Sequence, residues 1–304
     1  MLTKEYTDTD VPAAATWRDY YALTKPGVVQ LLVFTAIVGM FLATPGMVPW
    51  DALVFGSLGI ALASASAAAI NHVLDQRIDA EMTRTRSRPL PSGRIGERDA
   101  LAFALALGLA GIGILALLVN ALTAALTFVS LIGYAVIYTV YLKRATPQNI
   151  VIGGAAGAAP PVLGWTAVTN EVSGYALLLF LIIFTWTPPH FWALAIARRA
   201  DYEKAEIPMF PVAYGEELTK TFVGYYTILL VIVTVLPYLT GMSGLLYLLG
   251  ALALGAGFLG YAARLKFAPR PDTAMKTFAY SITYLMALFS FLLADHYVPA
   301  VWPE

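Results

Sequence analysis

Nine stretches of about twenty mostly apolar residues follow one another along this chain of 304 residues. The hydrocarbon core of a bilayer is about 30 Å thick, and a helix that rises about 1.5 Å per residue crosses it in about twenty residues. The chain is therefore predicted to be an all-α integral membrane protein with nine transmembrane helices. The stretches lie near residues 27–44, 51–73, 100–119, 121–141, 150–168, 174–196, 221–240, 243–263 and 277–294.

Composition supports this interpretation, because hydrophobic residues make up 59% of the chain and charged residues only 12%. So little polar sequence cannot cover a soluble globule of this size. The apolar stretches are also continuous and lack the alternation of barrel strands, which indicates helices and excludes a β-barrel. The net charge of zero gives no indication of a nucleic-acid partner.

The positive charges are distributed on one side of the predicted topology. All nineteen Lys and Arg residues fall before the first helix or between helices 2 and 3, 4 and 5, 6 and 7, or 8 and 9. The positive-inside rule then predicts a cytoplasmic N-terminus and a C-terminus outside. The N-terminal segment 1–24 contains acidic residues and no basic region typical of a signal peptide, which favours a prokaryotic plasma (inner) membrane.

Two long charged loops, near 75–99 and 197–220, follow helices 2 and 6 on the cytoplasmic side. Long loops of this kind are predicted to cap a functional site. Each begins with an acidic residue, Asp75 or Asp201, and these residues are four helices apart. This spacing predicts two four-helix halves followed by a ninth helix, although transporters also contain internal repeats.

The motif Asn71-x3-Asp75-x3-Asp79 places three oxygen donors on one helical stripe, because residues four apart lie on the same face. Carboxylate and amide oxygens suit Mg²⁺, which binds to a few protein oxygens together with water and substrate phosphate. The motif therefore predicts a magnesium site. The alternative is a solvated helix end whose acids pair with Arg77 and Arg84.

The stretch that follows the motif is strongly basic and contains Arg84, Arg88 and Arg94. Guanidinium groups fit phosphate oxygens, so these residues are candidates for diphosphate binding. Anchoring to anionic lipid is the alternative. In the second loop, Asp201 is a candidate metal ligand and Lys204 a candidate phosphate partner, unless the segment is an ordinary charged helix exit.

A metal, a diphosphate and an apolar helical cavity together favour the ionisation of an allylic diphosphate. The prenyl tail would remain among the apolar helices. Tyr134, Tyr138 and Tyr141 recur at helical spacing on helix 4, and their ring faces are candidates to stabilise an allylic cation. Ordinary packing is the alternative for this tyrosine stripe.

Laid on helices 2 and 6, these motifs resemble the UbiA-type intramembrane aromatic prenyltransferases, and the resemblance covers nearly the whole chain as one domain, 1–304. Within that superfamily, six segments are similar to the branch that farnesylates protohaem IX, the haem O synthases. These segments are Leu23–Pro26, Ser87–Arg94, Tyr141–Asn149, Gly153–Pro161, Trp186–Trp192 and Asp201–Met209.

The resemblance implies transfer of a farnesyl group from farnesyl diphosphate to a vinyl group of haem b, with water capturing the resulting cation. It also implies which residues bind the metal and the diphosphate. The implied metal ligands are Asn71, Asp75, Asp79 and Asp201, and the implied phosphate partners include Arg88, Arg94, Lys143 and Lys204. The position four residues after Asp201 is Ala205, so the second acidic motif departs from the family's pattern. A downstream haem-modifying enzyme is a candidate partner.

Of the three histidines, His190 lies inside helix 6 next to a proline pair and two tryptophans. It is a candidate to contact haem, or else a buried histidine satisfied by a carbonyl that the prolines leave free. His72 points away from Asn71 and is a weaker candidate, and His296 falls on the opposite side of the membrane. Gly153 and Gly157 are predicted to allow close helix packing.

Three other functions are alternatives to this interpretation. A secondary transporter would be expected to carry its membrane acids near the midplane, whereas here they gather at the ends of helices 2 and 6. A prenyltransferase acting on a quinone precursor or a chlorophyll-like ring fits the same motifs. A CDP-alcohol phosphotransferase is disfavoured, because its four-Asp motif is not in this chain.

Overall fold

The computed structural model describes residues 15–298, and every regular element in this range is helical. Eight helices are long and apolar enough to cross a membrane, and a bent helix pair at the N-terminal end gives a ninth candidate. The predicted helical membrane protein is confirmed. The ninth candidate contains α1 (Pro26–Leu42), and the eight helices are α2 (Ala52–Leu74), α3 (Glu97–Leu118), α4 (Ala121–Ala145), α5 (Asn149–Thr169), α6 (Gly174–Ala197), α7 (Glu216–Leu239), α8 (Leu245–Phe267) and α9 (Thr273–Tyr297).

Each predicted stretch coincides with one of these helices to within a few residues. Four short helices lie outside them: Trp17–Leu23, Gln76–Glu81, Arg199–Lys204 and Phe210–Tyr214. The predicted cytoplasmic segment 1–24 lies outside the described residues as far as residue 14, and so does the end of the chain after residue 298.

The bend before α1 has a local cause. Lys25 adopts a left-handed conformation (φ 49°), and Pro26 follows it as the first residue of α1. Proline has no amide hydrogen to donate and disfavours the right-handed helical conformation in the residue before it. The helix Trp17–Leu23 therefore stops and meets α1 at 54°, which leaves Lys25 at the corner.

Neighbouring helices in sequence also pack as neighbours in space, and α9 returns to contact both α1 and α6. Contacts of Lys25 with Asn71, of Lys143 with Asp75 and of Lys266 with Glu217 bring the Lys- and Arg-rich connections together at one end of the bundle, called here the basic end. The α1–α5 contact is especially close. A Cβ atom on Gly39 would lie 2.9 Å from Pro161 Cα, and one on Gly164 would lie 3.1 Å from Ala36 Cα.

At the end of the bundle opposite the basic end, Asp295 of α9 holds the start of α8. Its carboxylate accepts hydrogen bonds from the backbone amides of Gly244 and of Tyr247, the latter at 3.0 Å. These amides have no partner inside a helix that begins there, so Asp295 acts as an N-terminal cap supplied by another helix. The residue is 5% exposed.

The two predicted cap loops are folded rather than open, and they touch each other. Ile78 and Met82 after α2 form one apolar cluster with Tyr202, Ile207 and Met209 after α6. The two charged segments therefore meet at the basic end of the bundle. The division into two four-helix halves and the capping role of the loops stay predictions.

Candidate active site

The site starts from the three polar residues at the end of α2, and all three are buried. Asn71 and Asp75 are 4% exposed and Asp79 is 3% exposed. Helical hydrogen bonding continues past the end of α2, since the amides of Asp75 and Asp79 donate to the carbonyls of Asn71 and Asp75. The amide nitrogen of Asn71 also donates to Asp75 Oδ2 at 2.9 Å, so the predicted stripe brings Asn71 and Asp75 into contact.

Three cations from three parts of the chain contact this stripe. Lys143 at the end of α4 donates to Asp75 Oδ2 at 2.7 Å, and Arg88 donates to Asp79 Oδ2 at 2.6 Å. Lys25 donates to Asn71 Oδ1 at 2.5 Å. The side chains of Lys143 and Asp75 are only 11% and 5% exposed, so this ion pair is largely removed from water.

Lys25 is a site residue that the sequence motifs did not single out. The left-handed corner before α1 turns its ammonium group toward Asn71. Lys25 is partly exposed, yet its pKa is lowered to about 7. Burial is the main cause, and the positive charge of Arg88 is the second. The sequence carried one signal for Lys25, its place in the segment Leu23–Pro26 that the family resemblance uses.

Each carboxylate of the stripe keeps one oxygen free. Asp75 and Asp79 use Oδ2 in their ion pairs, and among the described residues no hydrogen bond reaches Oδ1 of either one. Neither Oδ1 atom is fully enclosed. These oxygens and Asn71 Oδ1 have the hard-donor chemistry that Mg²⁺ prefers.

The predicted four-ligand set is only partly assembled. Across residues 15–298, no three His, Cys, Asp or Glu side chains converge closely enough to form a metal site by themselves. Asp201 is half-buried in the helix Arg199–Lys204. Its role as a fourth ligand stays a prediction, as do the roles of the other three.

Tyr202, next to Asp201, is a site residue that the sequence reasoning missed. Its side chain is buried, and the charged groups of Arg84 and Arg88 lie near its hydroxyl group. Burial raises the pKa of Tyr202, while the charges of the two arginines oppose that rise. Tyr202 thus connects the second loop to the basic stretch of the first.

Two predicted phosphate partners lie at the edge of this centre. Arg94 donates to Asp19 Oδ1 at 2.8 Å and to the carbonyl of Ser87 at 3.0 Å. Lys204 is exposed and lines a cavity of about 580 Å³ together with Arg77 and Arg144. Neither residue contacts the acidic stripe in this structure.

Tyr134 and Tyr138 form the aromatic wall of the site. Residues Gly133–Leu142 within α4 are a π-helix, in which the hydrogen bonds skip one more residue than in an α-helix. The two tyrosine rings stack with centroids 5.5 Å apart. Thr139, from the same segment, accepts a hydrogen bond from Asn71 at 3.1 Å, so the wall is tied to the acidic stripe.

The predicted tyrosine stripe is wrong for Tyr141, which is 67% exposed. The wider turns of the π-helix explain this, because residues seven positions apart no longer share a face. The prediction that Gly153 and Gly157 allow close helix packing holds for Gly153 but not for Gly157. Gly153 lies directly against the ring of Tyr138, whereas a Cβ atom on Gly157 would meet nothing within 4 Å.

His190 lies deep in α6 and is 7% exposed. Its Nδ1 atom is 2.6 Å from the hydroxyl oxygen of Ser281 on α9, so its partner is a side chain rather than a carbonyl freed by the proline pair. His72 is buried, with no partner for either ring nitrogen among the described residues. His296 contacts the carbonyl of Thr44 at the end of α1 remote from Lys25.

An apolar cavity of about 370 Å³ lies between α4, α5 and α6. Its lining includes Gly133 and Ala156, each a few residues along its helix from the Tyr138–Gly153 contact. The site therefore combines a compensated acid–base cluster, an aromatic wall and apolar space inside a membrane bundle. This combination suits a substrate that has an anionic head and an apolar tail.

Comparison with known proteins names that class. Residues 32–292 match the family model described as the UbiA prenyltransferase family. The chain belongs to this family and is a prenyltransferase.

A protein from Alkalilimnicola ehrlichii named protoheme IX farnesyltransferase is 63% identical over 286 residues, which cover 94% of each chain. Among solved structures, a digeranylgeranylglyceryl phosphate synthase has a TM-score of 0.76 at 20% identity, covering 92% of this chain and 98% of that one. A UbiA homologue from Archaeoglobus fulgidus bound to GPP and Mg²⁺ has a TM-score of 0.62 at 18% identity, covering 90% of this chain and 99% of its own. At these identities the two structures establish the fold alone.

Proposed function

We propose that this chain transfers the farnesyl group of farnesyl diphosphate to a vinyl group of protohaem IX, giving haem O and diphosphate. The observation that carries the reaction type is the buried cluster in which Lys143 pairs with Asp75 and Arg88 pairs with Asp79. The choice of substrates rests on the relative of 63% identity, which is named protoheme IX farnesyltransferase.

The diphosphate binds at the basic end of the bundle. Mg²⁺ would be held by Asn71 Oδ1 and the free oxygens of Asp75 and Asp79, with Asp201 as a further ligand, and would supply positive charge to the leaving diphosphate. Lys25, Lys143 and the arginines then exchange their present partners for phosphate oxygens. The phosphate partners in this proposal are Lys25, Arg84, Arg88, Arg94, Lys143 and Lys204.

The reaction begins as the bond between the farnesyl C1 carbon and the diphosphate oxygen breaks and the electron pair leaves with the diphosphate. The stacked rings of Tyr134 and Tyr138, joined to the acidic stripe through Thr139, stabilise the allylic cation. The vinyl group attacks that cation and forms the new carbon–carbon bond. Water captures the resulting cation next to the porphyrin and releases a proton, which completes haem O.

The farnesyl tail occupies apolar space among the helices, for which the cavity between α4, α5 and α6 is the candidate. His190 contacts the haem.

The protein is a multi-pass membrane protein, and we place it in the plasma membrane of a prokaryote with its N-terminus in the cytoplasm. An enzyme that modifies haem O further is its candidate partner.

The test uses purified protein in lipid nanodiscs with haem b, farnesyl diphosphate and Mg²⁺, and mass spectrometry detects haem O. Asp75→Ala should abolish product formation while the protein remains in the membrane, because this variant loses the centre of the stripe. Prenylation of 4-hydroxybenzoate without formation of haem O would favour the quinone-precursor alternative. Absence of any prenylated product, together with substrate uptake by proteoliposomes, would favour a transporter.

A further inference from the structure

The imidazole ring of His190 is held on both faces. Trp186 stacks on it with centroids 4.1 Å apart and an angle of 20° between the planes. Phe278, from α9, stacks at 4.5 Å and 28°. Two parallel aromatic neighbours fix the plane of the ring and cover its π surfaces. Only the edge of the ring that carries the nitrogen atoms remains for polar contacts.

One of the two ring nitrogens of His190 has a hydrogen-bond partner, and the hydrogens available to that contact determine the tautomer of the ring. Ser281 Oγ lies 2.6 Å from His190 Nδ1 and also 2.6 Å from the carbonyl oxygen of Phe278. A hydroxyl group has one hydrogen, and the carbonyl has none to offer. The serine therefore donates to the carbonyl and accepts from Nδ1–H, since otherwise two oxygen atoms would face each other at 2.6 Å with no hydrogen between them.

The position of Ser281 is itself fixed. The indole nitrogen of Trp186 donates to the backbone carbonyl of Ser281 at 2.8 Å, so the same two residues of α6 and α9 are joined twice. With the proton on Nδ1, the Nε2 atom of His190 carries a lone pair. Among residues 15–298 this atom makes no hydrogen bond, and it is not fully enclosed.

A neutral imidazole with a fixed plane, an anchored N–H group and one open lone pair has the arrangement of a metal-binding histidine, whose second nitrogen is held by an acceptor. The other two histidines lack it, because both nitrogens of His72 are enclosed and Nε2 of His296 already contacts the carbonyl of Thr44. Haem is the proposed substrate that brings an iron atom. His190 is therefore the histidine of this chain that is prepared to bind it.

We infer that Ser281 is a positioning residue that holds His190 in the Nδ1–H tautomer and so presents Nε2 as an axial ligand to the iron of the tetrapyrrole substrate. This inference rests on the proposed function. Loss of the serine hydroxyl lets the imidazole turn over to the tautomer that carries its proton on Nε2, where the lone pair no longer faces the iron. Ser281 itself does not touch the haem.

The test is a titration of the full-length protein in nanodiscs with haem b, followed by optical spectra and by resonance Raman measurement of the iron–histidine stretching band of the ferrous form. Ser281→Ala is compared with the conservative variant Ser281→Thr and with His190→Ala. The matched control is Thr277→Val, which removes another buried hydroxyl one turn away on α9, bonded only to the carbonyl of Thr273.

We expect a histidine-ligated spectrum for the wild type, for Ser281→Thr and for Thr277→Val, and loss of the iron–histidine band in His190→Ala. Ser281→Ala should bind haem about 10–100-fold more weakly and shift that band, as for other residues that hold a ligating histidine. Equal spectra and affinities for Ser281→Ala and Thr277→Val would overturn the inference. So would a wild type that forms haem O without the band, and in that case the proposed function would stand. A wild type that neither binds nor farnesylates haem would refute both.

Discussion

The contact between Gly153 and Tyr138 predicts that Gly153→Ala is harmful, and the structure sets the magnitude of the effect. A methyl group added at Gly153 would lie 2.8 Å from Tyr138 Cε2 and 3.0 Å from Cγ, and closer still to Cδ2. Ordinary contacts begin at about 3.4 Å, so Cε2 alone must retreat by at least 0.6 Å, the difference between 3.4 and 2.8 Å. Because Tyr138 stacks on Tyr134, this shift also disturbs the second ring of the aromatic wall.

Gly153→Ala is therefore expected to weaken both folding and reaction. Overpacking of this kind costs about 1–3 kcal/mol of stability. In the proposed reaction Tyr138 faces the allylic cation, so its displacement by nearly 1 Å would lower the rate by up to about 100-fold. We expect haem O formation to fall by about 10–100-fold. Gly157→Ala is the matched control on the same helix, and it should lose neither activity nor stability, because a methyl group there meets open space.

The assay measures haem O formation per mole of folded protein, with thermal unfolding in nanodiscs recorded in parallel. A double-mutant cycle with Tyr138→Ala separates the clash from other effects, since removing the ring removes the obstacle. In the Tyr138→Ala background, Gly153→Ala should cost no further stability. Equal losses of stability from Gly153→Ala in both backgrounds would refute the explanation, as would equal activities of the Gly153→Ala and Gly157→Ala variants.

Three further predictions concern charged side chains. Lys143→Met leaves the buried Asp75 carboxylate without its cation and should cost about 3–5 kcal/mol of stability. Thermal unfolding should show that the double variant with Asp75→Asn recovers most of this loss. Lys25→Met should lower kcat/KM at least about tenfold without altering membrane topology, because loss of one hydrogen bond between a charged group and phosphate costs about 1.5–3 kcal/mol. The control is Lys276→Met, which removes a lysine from an exposed ion pair. Equal kinetics of the two variants would contradict a phosphate-binding role for Lys25. Asp295→Ala should lower stability by about 1–2 kcal/mol through loss of the α8 cap yet keep haem O formation at low temperature, and unchanged unfolding would contradict that role.

The membrane architecture was predictable because a helix in lipid must be apolar over its full length and must satisfy its own backbone hydrogen bonds. This requirement leaves a strong signal, and all nine stretches match observed helices. The details that failed depend on backbone geometry that hydropathy does not encode. The π-helix at Gly133–Leu142 moves Tyr141 away from Tyr134 and Tyr138, and no pattern of apolar residues distinguishes it from an α-helix.

The site divides in the same way. The contact between Asn71 and Asp75 is local, so spacing along one helix was enough to predict it. Lys25 and Ser281 lie 46 and 91 residues along the chain from their partners Asn71 and His190. Tyr202 lies on the second loop, whereas its neighbours Arg84 and Arg88 lie on the first. Whether such residues meet depends on how the helices close into a bundle. Lys143 was identified by resemblance, since no spacing rule joins it to Asp75 from 68 residues away.

The pairing of acids and bases at the basic end explains why a membrane protein tolerates buried charges there. A carboxylate with the exposure of Asp75 or Asp79 is costly unless a cation accompanies it, and Lys143 and Arg88 provide that cation in the structure. In the proposed reaction, Asp75 and Asp79 would hold Mg²⁺ in place of Lys143 and Arg88, and these two cations would then bind the diphosphate. Each charge then keeps a partner of opposite sign. Because Lys143 and Arg88 already neutralise Asp75 and Asp79, we expect Mg²⁺ to bind more tightly when diphosphate is present.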